Sequence, residues 1–304
     1  MSESSLSVFL KRIFPPMQIH VWGGLGSQLF ALIALEEARS RFRLRGFRIV
    51  FHSGGVTKRE PDLIELISQD VEISIINDFL PSPETVSVQK IVCSWRSITQ
   101  PMLKKISHKL KFVVSWEDSS SEPSFWTMQI RGHYRFLKTS IDSLVCVSDR
   151  IFNSKFNGNS GEISSSNAVH FRIGDLVGLK GIIDPSSLES VMYEIQARNR
   201  LKFQVLSDSE EIASSYLSKV EICPSLKGLN TWETIEIGYK SEVFVGTLSK
   251  ISYWIVILRV LGRPEMYSYL PSTATEEITS FFRDLKISAK IRPYSYGLIE
   301  SPET

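Results

Sequence analysis

From residue 168 onward, short apolar runs alternate with stretches of about ten residues that carry helical spacing. Ala168–Arg172, Phe203–Leu206, Val220–Cys223, Val243–Val245 and Glu265–Tyr269 read as strands. Between and after them Pro185–Ala197, Ser209–Leu217, Thr231–Tyr239, Ile251–Leu261 and Thr275–Leu285 read as helices. Strands joined through helices run parallel, because a tight hairpin cannot connect parallel neighbours, and the expected architecture is a doubly wound sheet. In such a sheet the carboxyl ends of the strands share one rim, where open α/β sheets take their ligands. Three strand ends carry polar punctuation there: His170-Phe171-Arg172, Ser207-Asp208 and Gly246-Thr247-Leu248-Ser249. Arg172 suits a phosphate, since its guanidinium is planar, stays charged and donates in parallel pairs. Ser207, Asp208 and Ser249 also have a plainer reading as helix caps.

The amino-terminal half opens with a second α/β signature. Met17–Trp22 has strand composition and runs into Gly23-Gly24-Leu25-Gly26-Ser27. A helix over Gln28–Leu44, with Gly46 as its stop, and a strand at Arg48–Phe51 complete a βαβ unit. Glycines at that first turn let the backbone approach a phosphate closely, and the following helix start offers free N–H groups. The dinucleotide fingerprint GxGxxG is incomplete, with Leu29 where the third glycine belongs, which argues against a nicotinamide-dependent oxidoreductase. Further on, Pro61–Gln69 reads as a short helix opened by proline, and Val71–Ile76, Ser87–Cys93 and Lys111–Trp116 read as strands. Gly132-His133-Tyr134-Arg135 is an aromatic and basic cluster whose lone histidine fits a structural role as well as a chemical one.

A length of 304 residues favours two domains. The Ser-, Asn- and Gly-rich Asn153–Asn167 marks the approach to the second, giving a tail over 1–16, a Rossmann-like domain over 17–152 and another over 153–304. A net charge of +2 is too small for a nucleic-acid footprint. Three distant cysteines, Cys93, Cys146 and Cys223, speak against a disulfide framework or zinc site and for a reducing cytoplasm. The start does not read as a secretory signal, and Ile251–Leu258, the most apolar late segment, falls short of the ~20 residues of a membrane span.

With these residues assembled, the chain resembles the bacterial α-1,2-fucosyltransferases of surface-polysaccharide and O-antigen pathways, glycosyltransferase family 11. More distantly it resembles the α-1,6- and protein-O-fucosyltransferases. Gly23-Gly24-Leu25-Gly26-Ser27-Gln28-Leu29-Phe30 is similar to the family's GGLGNQ-M/L-F, and His170–Asp175 to its HxRRGD. Leu206-Ser207-Asp208 is similar to FSDD, Phe244–Trp254 to IxANSSFSWW, and Gly132–Arg135 is a looser echo of GYWQ. The order and spacing hold over residues 17–260.

The resemblance implies a GT-B fold, two Rossmann-like doubly wound domains facing across a cleft, with the amino-terminal one on the acceptor side. It implies inverting transfer of L-fucose from GDP-fucose to a glycan hydroxyl, with no cofactor and no metal. The acceptor could be lipid-linked, which would place a cytoplasmic enzyme in peripheral contact with the inner face of the membrane. Arg172 would contact the β-phosphate and stabilise charge as GDP departs. Gly24, Gly26, Ser27, His170, Asp208, Glu233, Thr247, Ser249 and Lys250 would bind the donor, and His133 and Tyr134 would serve the acceptor. Asp175, Glu233 and His133 remain alternatives for the base that takes the acceptor proton; Asp175 is carried with Arg172 as a catalytic residue.

The departures are specific. Ser27 replaces an asparagine and Ile173 a second arginine, as in the protein-O-fucosyltransferases; Lys250 stands where a serine would be, and Thr234 where a guanine-reading carboxylate is expected. GDP-colitose or another deoxyhexose nucleotide is therefore an alternative donor. A nucleotide-binding relative without activity is an alternative to an enzyme.

Overall fold

The computed structural model describes residues 14–53, 61–76, 110–116, 122–156, 166–173, 182–224, 226 and 228–298. The expected strand Ser87–Cys93 lies outside them. The chain divides into two compact units, with the boundary between Ser154 and Lys155.

The first unit contains β1 (Met17–Trp22), α1 (Leu25–Arg41), β2 (Phe47–His52), β3 (Glu72–Ile76), β4 (Val113–Ser115), β5 (Gln129–Arg131) and α2 (Ile141–Lys155). Its sheet has the order β3-β2-β1-β5-β4 and is parallel throughout. Chain order reverses at β1, whose carboxyl end leads into the glycine turn. Gly23 holds φ at +84°, a region glycine enters without Cβ strain. Helix α1 begins three residues earlier than its side-chain pattern predicts. Gly24 is its N-cap, and the Ser27 and Gln28 N–H groups donate to the Gly24 carbonyl, so Leu25, Gly26 and Ser27 form the first turn rather than a loop. Buried Gln28 secures this entry, donating to the Gly23 carbonyl at 3.2 Å and accepting from the Asp62 N–H at 2.8 Å.

Helix α1 is buried almost all round as far as Ala38, which is why its spacing is so weakly amphipathic. Its polar residues survive burial because each is bonded. Glu37 Oε2 accepts from the Thr139 hydroxyl, the Ser140 N–H and the Ser140 and Ser143 hydroxyls, each at 2.9 Å. Oε1 of the same carboxylate accepts from Arg41. Ser140 precedes α2, so a carboxylate of one helix closes the amino terminus of another. Helix α2 was not legible as an element, and it carries the chain through Lys155, into what reads as the start of a linker. The proline-opened helix at 61–69 is reduced to a 3₁₀ turn at Ile64–Leu66.

The second unit contains β6 (Asn167–His170), α3 (Pro185–Asn199), β7 (Phe203–Leu206), α4 (Glu210–Tyr216), α5 (Thr231–Lys240), β8 (Phe244–Val245), α6 (Lys250–Gly262), β9 (Ser268–Pro271), α7 (Ser272–Asp284) and β10 (Ile291–Tyr294). Its sheet is again parallel, in the order β10-β9-β8-β6-β7. Two parallel-sheet Rossmann-like units are thus present, as the alternating pattern requires. The predicted strand at Val220–Cys223 is a correction: it amounts to a single bridge between Ile222 and Phe203. One ladder rung is all it makes, so its apolar residues serve the core more than the sheet. Strand β10 escaped notice because Pro293 interrupts it, and an edge strand tolerates a missing N–H.

Helix α6 is buried over Ser252–Val260, including Trp254 and the guanidinium of Arg259. Arg259 makes no direct ion pair among the described residues, although Glu242 and Glu265 are near enough to favour its charge. It donates instead to the carbonyls of Gly238, Tyr239, Ser241, Glu242 and Tyr267 and to the hydroxyls of Ser241 and Ser268. Burial, with repulsion from Arg263, lowers its pKa. The seven oxygens tie the end of α5 to β9 and hold the charge.

Candidate functional site

In the second sheet the strand order turns at β6, flanked by β7 on one side and β8 on the other. Connections leave that point in opposite directions, which opens a crevice at the carboxyl ends of β6 and β8. The apolar run Asn167–His170 is fully buried and ends in His170; Phe171 and Ile173 then enter the core while Arg172, between them, stays half-buried. Alternation along an extended segment therefore delivers Arg172 to the rim. The Asp208 carboxylate, at the end of β7, accepts the Ile173 N–H at 3.1 Å and holds the backbone beside Arg172 in place. The resemblance implies a donor-binding role for Asp208; the structure gives it this backbone bond.

On the other side β8 ends at Val245 and α6 begins at Lys250. Ser249 caps α6, its hydroxyl accepting the Ile251 N–H at 3.3 Å. Thr247 is 3% exposed, and its hydroxyl makes no hydrogen bond among the described residues. Leaving a buried hydroxyl without a partner costs about 1–3 kcal/mol. Such a group lies at the crevice, next to a thirteen-residue helix whose amino terminus favours anions. The Thr247 N–H, by contrast, is committed to the Ser252 hydroxyl at 3.0 Å.

His170 Nδ1 lies 2.8 Å from that same Ser252 oxygen. Burial, and then the positive charge of Arg172, push the imidazole down to about 4, with Asp208 opposing. His170 is accordingly neutral at ordinary pH. Ser252 was not singled out from sequence, although it stands inside the Phe244–Trp254 segment; the signal is its place in the first turn of α6, three residues after the cap.

The remaining sequence candidates have the following places. Asp175 lies outside the described residues. Glu233 closes a capping box at the start of α5, accepting the Asn230 N–H at 2.7 Å while Asn230 accepts the Glu233 N–H. Lys250 opens α6. In the first unit Gly24 caps α1, Gly26 is buried within it and Ser27 completes its first turn. Exposed His133 follows β5, and Tyr134 is buried with φ +53°, its hydroxyl donating to the carbonyls of His20 and Ile130. Tyr134 therefore anchors the β1–β5 pair. So Arg172, His170, Asp208, Thr247, Ser249 and Lys250 share one rim, while Glu233 is engaged in a cap. Among the described residues no group of three or more His, Cys, Asp or Glu side chains could hold a metal ion. Also among them, no helix is long and apolar enough to cross a membrane.

No protein-family model matches this chain, and no curated protein matches it. Among solved structures it is similar to the E. coli heptosyltransferase WaaC with ADP, at 13% identity over 84% of this chain and 87% of that one, with a TM-score of 0.42. It is also similar to POFUT1 in complex with GDP-fucose, at 11% identity over 86% of this chain and 99% of that one, with a TM-score of 0.43. A third is the NodZ α-1,6-fucosyltransferase soaked with GDP-fucose, at 15% identity over 95% and 100%, with a TM-score of 0.32. Scores this low assign neither a fold family nor an activity.

Proposed function

We propose that the chain is a metal-independent, inverting glycosyltransferase that moves a 6-deoxyhexose, L-fucose foremost, from GDP to a hydroxyl of a glycan. The observation that carries this reading is the unsatisfied, buried Thr247 hydroxyl at the β6/β8 turning point, with Arg172 and the α6 amino terminus on the same rim. That combination suits a diphosphate: a fork of donors for one phosphate, helix N–H groups and a hydroxyl for the other. The sequence motifs narrow the diphosphate to GDP-fucose. In transfer, the acceptor hydroxyl oxygen bonds to the sugar carbon and gives up its proton to a base or to the departing phosphate, as the bond from that carbon to the phosphate oxygen breaks. The electron pair leaves with GDP, and charge growing on its β-phosphate is met by Arg172. Electrostatic stabilisation of this kind is worth about 10²–10³ in rate per donor. A surface-polysaccharide acceptor and an α-1,2 linkage follow from the resemblance alone.

A second reading has its own observation. Ile173 is 4% exposed and packed in the core of the second unit, so the position of the family's second arginine is spent on packing and one charge is lost from the rim. The loss leaves open a protein that binds GDP without transferring from it, although the protein-O-fucosyltransferases carry the same Arg-Ile pair. Calorimetry with GDP, UDP, dTDP and NAD in the presence of EDTA tests the binding step, followed by turnover of GDP-fucose. GDP binding with fucose transfer supports the enzyme; GDP binding with no turnover of any GDP-deoxyhexose supports the second reading. Preference for UDP or dTDP overturns the GDP assignment, and abolition by EDTA overturns metal independence.

A further inference from the structure

The residues between β8 and α6 double back so that two groups, one of them on β6, meet at one oxygen of α6. Ser252 Oγ lies 3.0 Å from the Thr247 backbone nitrogen and 2.8 Å from His170 Nδ1, and Ser252 is fully buried. The roles at this junction follow from chemistry. A backbone N–H only donates, so Ser252 Oγ accepts from Thr247. The serine hydrogen then needs an acceptor, and His170 Nδ1 is its one remaining hydrogen-bond neighbour among the described residues. Were Nδ1 to carry a proton as well, the serine hydrogen would be stranded in the interior at a cost of a buried unsatisfied group. The ring therefore accepts at Nδ1 and holds its proton on Nε2. The charged side chains whose fields reach this ring are Arg172 and Asp208.

We propose that Ser252 is a positioning residue: it fixes the orientation and tautomer of His170, so that the Nε2–H stands as an uncharged donor at the end of β6. Resting on the GDP reading above, the group that receives this donor is an oxygen of the nucleoside diphosphate or of the sugar it carries. Gly246 serves the same end, since a Cβ there would come within 2.8 Å of Ser252 Cβ. The small residue before Thr247 lets α6 press its first turn against the strand end.

The tautomer is measured directly on the full chain with ¹⁵N-labelled histidine, from the pattern of two-bond nitrogen–proton correlations. The wild type is expected to show His170 protonated at Nε2. Ser252→Ala is expected to mix the tautomers and to weaken GDP binding on the order of tenfold, the loss of one well-made hydrogen bond. Ser252→Thr, which keeps the hydroxyl, is expected to restore both. His170 protonated at Nδ1 in the wild type overturns the proposal without any variant. A tautomer unchanged by Ser252→Ala overturns it as well. Should the wild type show Nε2–H and lose it in Ser252→Ala while binding no GDP, the positioning role stands and the nucleotide reading falls.

Discussion

Replacing Glu37 with glutamine removes one charge from a carboxylate that four donors at the start of α2, and Arg41, all address. Burial alone would raise the pKa of Glu37. The Ser140 N–H outweighs it together with Arg41 and the Ser140 and Ser143 hydroxyls, and the carboxyl is held at about 2 against its usual 4.5. That difference corresponds to at most about 3 kcal/mol between the ionised and protonated forms. Hydrogen bonds to a charged group are worth about 1.5–3 kcal/mol by themselves, and a carboxylate at a helix amino terminus gains a few tenths more. Glutamine keeps one acceptor oxygen but brings an NH2 among the donors, so about 2–3 kcal/mol of local stability should vanish at pH 7. The sign of the pH dependence follows. A carboxyl whose folded pKa is depressed stabilises fully above its unfolded pKa and loses that contribution as pH falls through the folded value. The gap between wild type and Glu37→Gln should therefore be largest above about pH 5 and close as pH approaches about 2. Hydrogen exchange of residues 141–155, read by mass spectrometry in both proteins across that range, measures it. A gap below about 0.5 kcal/mol at pH 7, within the range of an ordinary surface substitution, would refute the reasoning. So would a gap that persists unchanged to pH 2, which would mean that packing rather than charge holds α2.

Arg172→Lys should cut transfer from GDP-fucose on the order of 10²-fold, because a point charge cannot reproduce the guanidinium fork, and near-wild-type turnover would remove Arg172 from the centre of the site. Thr247→Val, which replaces the unpartnered hydroxyl with a methyl, should leave thermal stability equal or higher while lowering GDP affinity; unchanged affinity in calorimetry would show that the hydroxyl meets no ligand. Arg259→Met strands the carbonyls between α5 and β9 and should lower stability by about 3 kcal/mol or more in urea denaturation, and a loss under about 1 kcal/mol would deny the guanidinium its role. Gly246→Ala places a Cβ within 2.7 Å of Leu270 and should cost about 1–3 kcal/mol along with some GDP affinity, read as a fall in melting temperature and a weaker binding isotherm.

The architecture is largely legible in the sequence. Period and length gave Phe203–Leu206 exactly as found, and placed the helices α3, α5, α6 and α7 within a few residues of their observed ends. The rim residues His170, Arg172, Asp208, Thr247 and Ser249 were legible too, since strand-end position depends only on where an apolar run stops. Helix α2 was not, because its serines and charges dilute the apolar stripe that Leu144, Val147 and Ile151 bury. The three-residue shift at α1 has a similar cause: glycine and serine read as loop, yet capping at Gly24 and burial of Leu25 outweigh their propensities.

What the sequence determined by itself was the alternation of strand and helix, the parallel sheets that alternation forces, and which residues end each strand. Local patterns suffice there, because an apolar run either continues or meets a polar residue. Only the tertiary structure decided which strand ends are neighbours and what each polar group does once there. Strand order brings His170 beside α6 through Ser252, from 82 residues away. It sets Asp208 on the Ile173 backbone, gathers the α2 serines around Glu37, and leaves the Thr247 hydroxyl unmatched. Partners so distant in the chain leave no spacing to read, and whether a buried hydroxyl is satisfied depends on all of them at once.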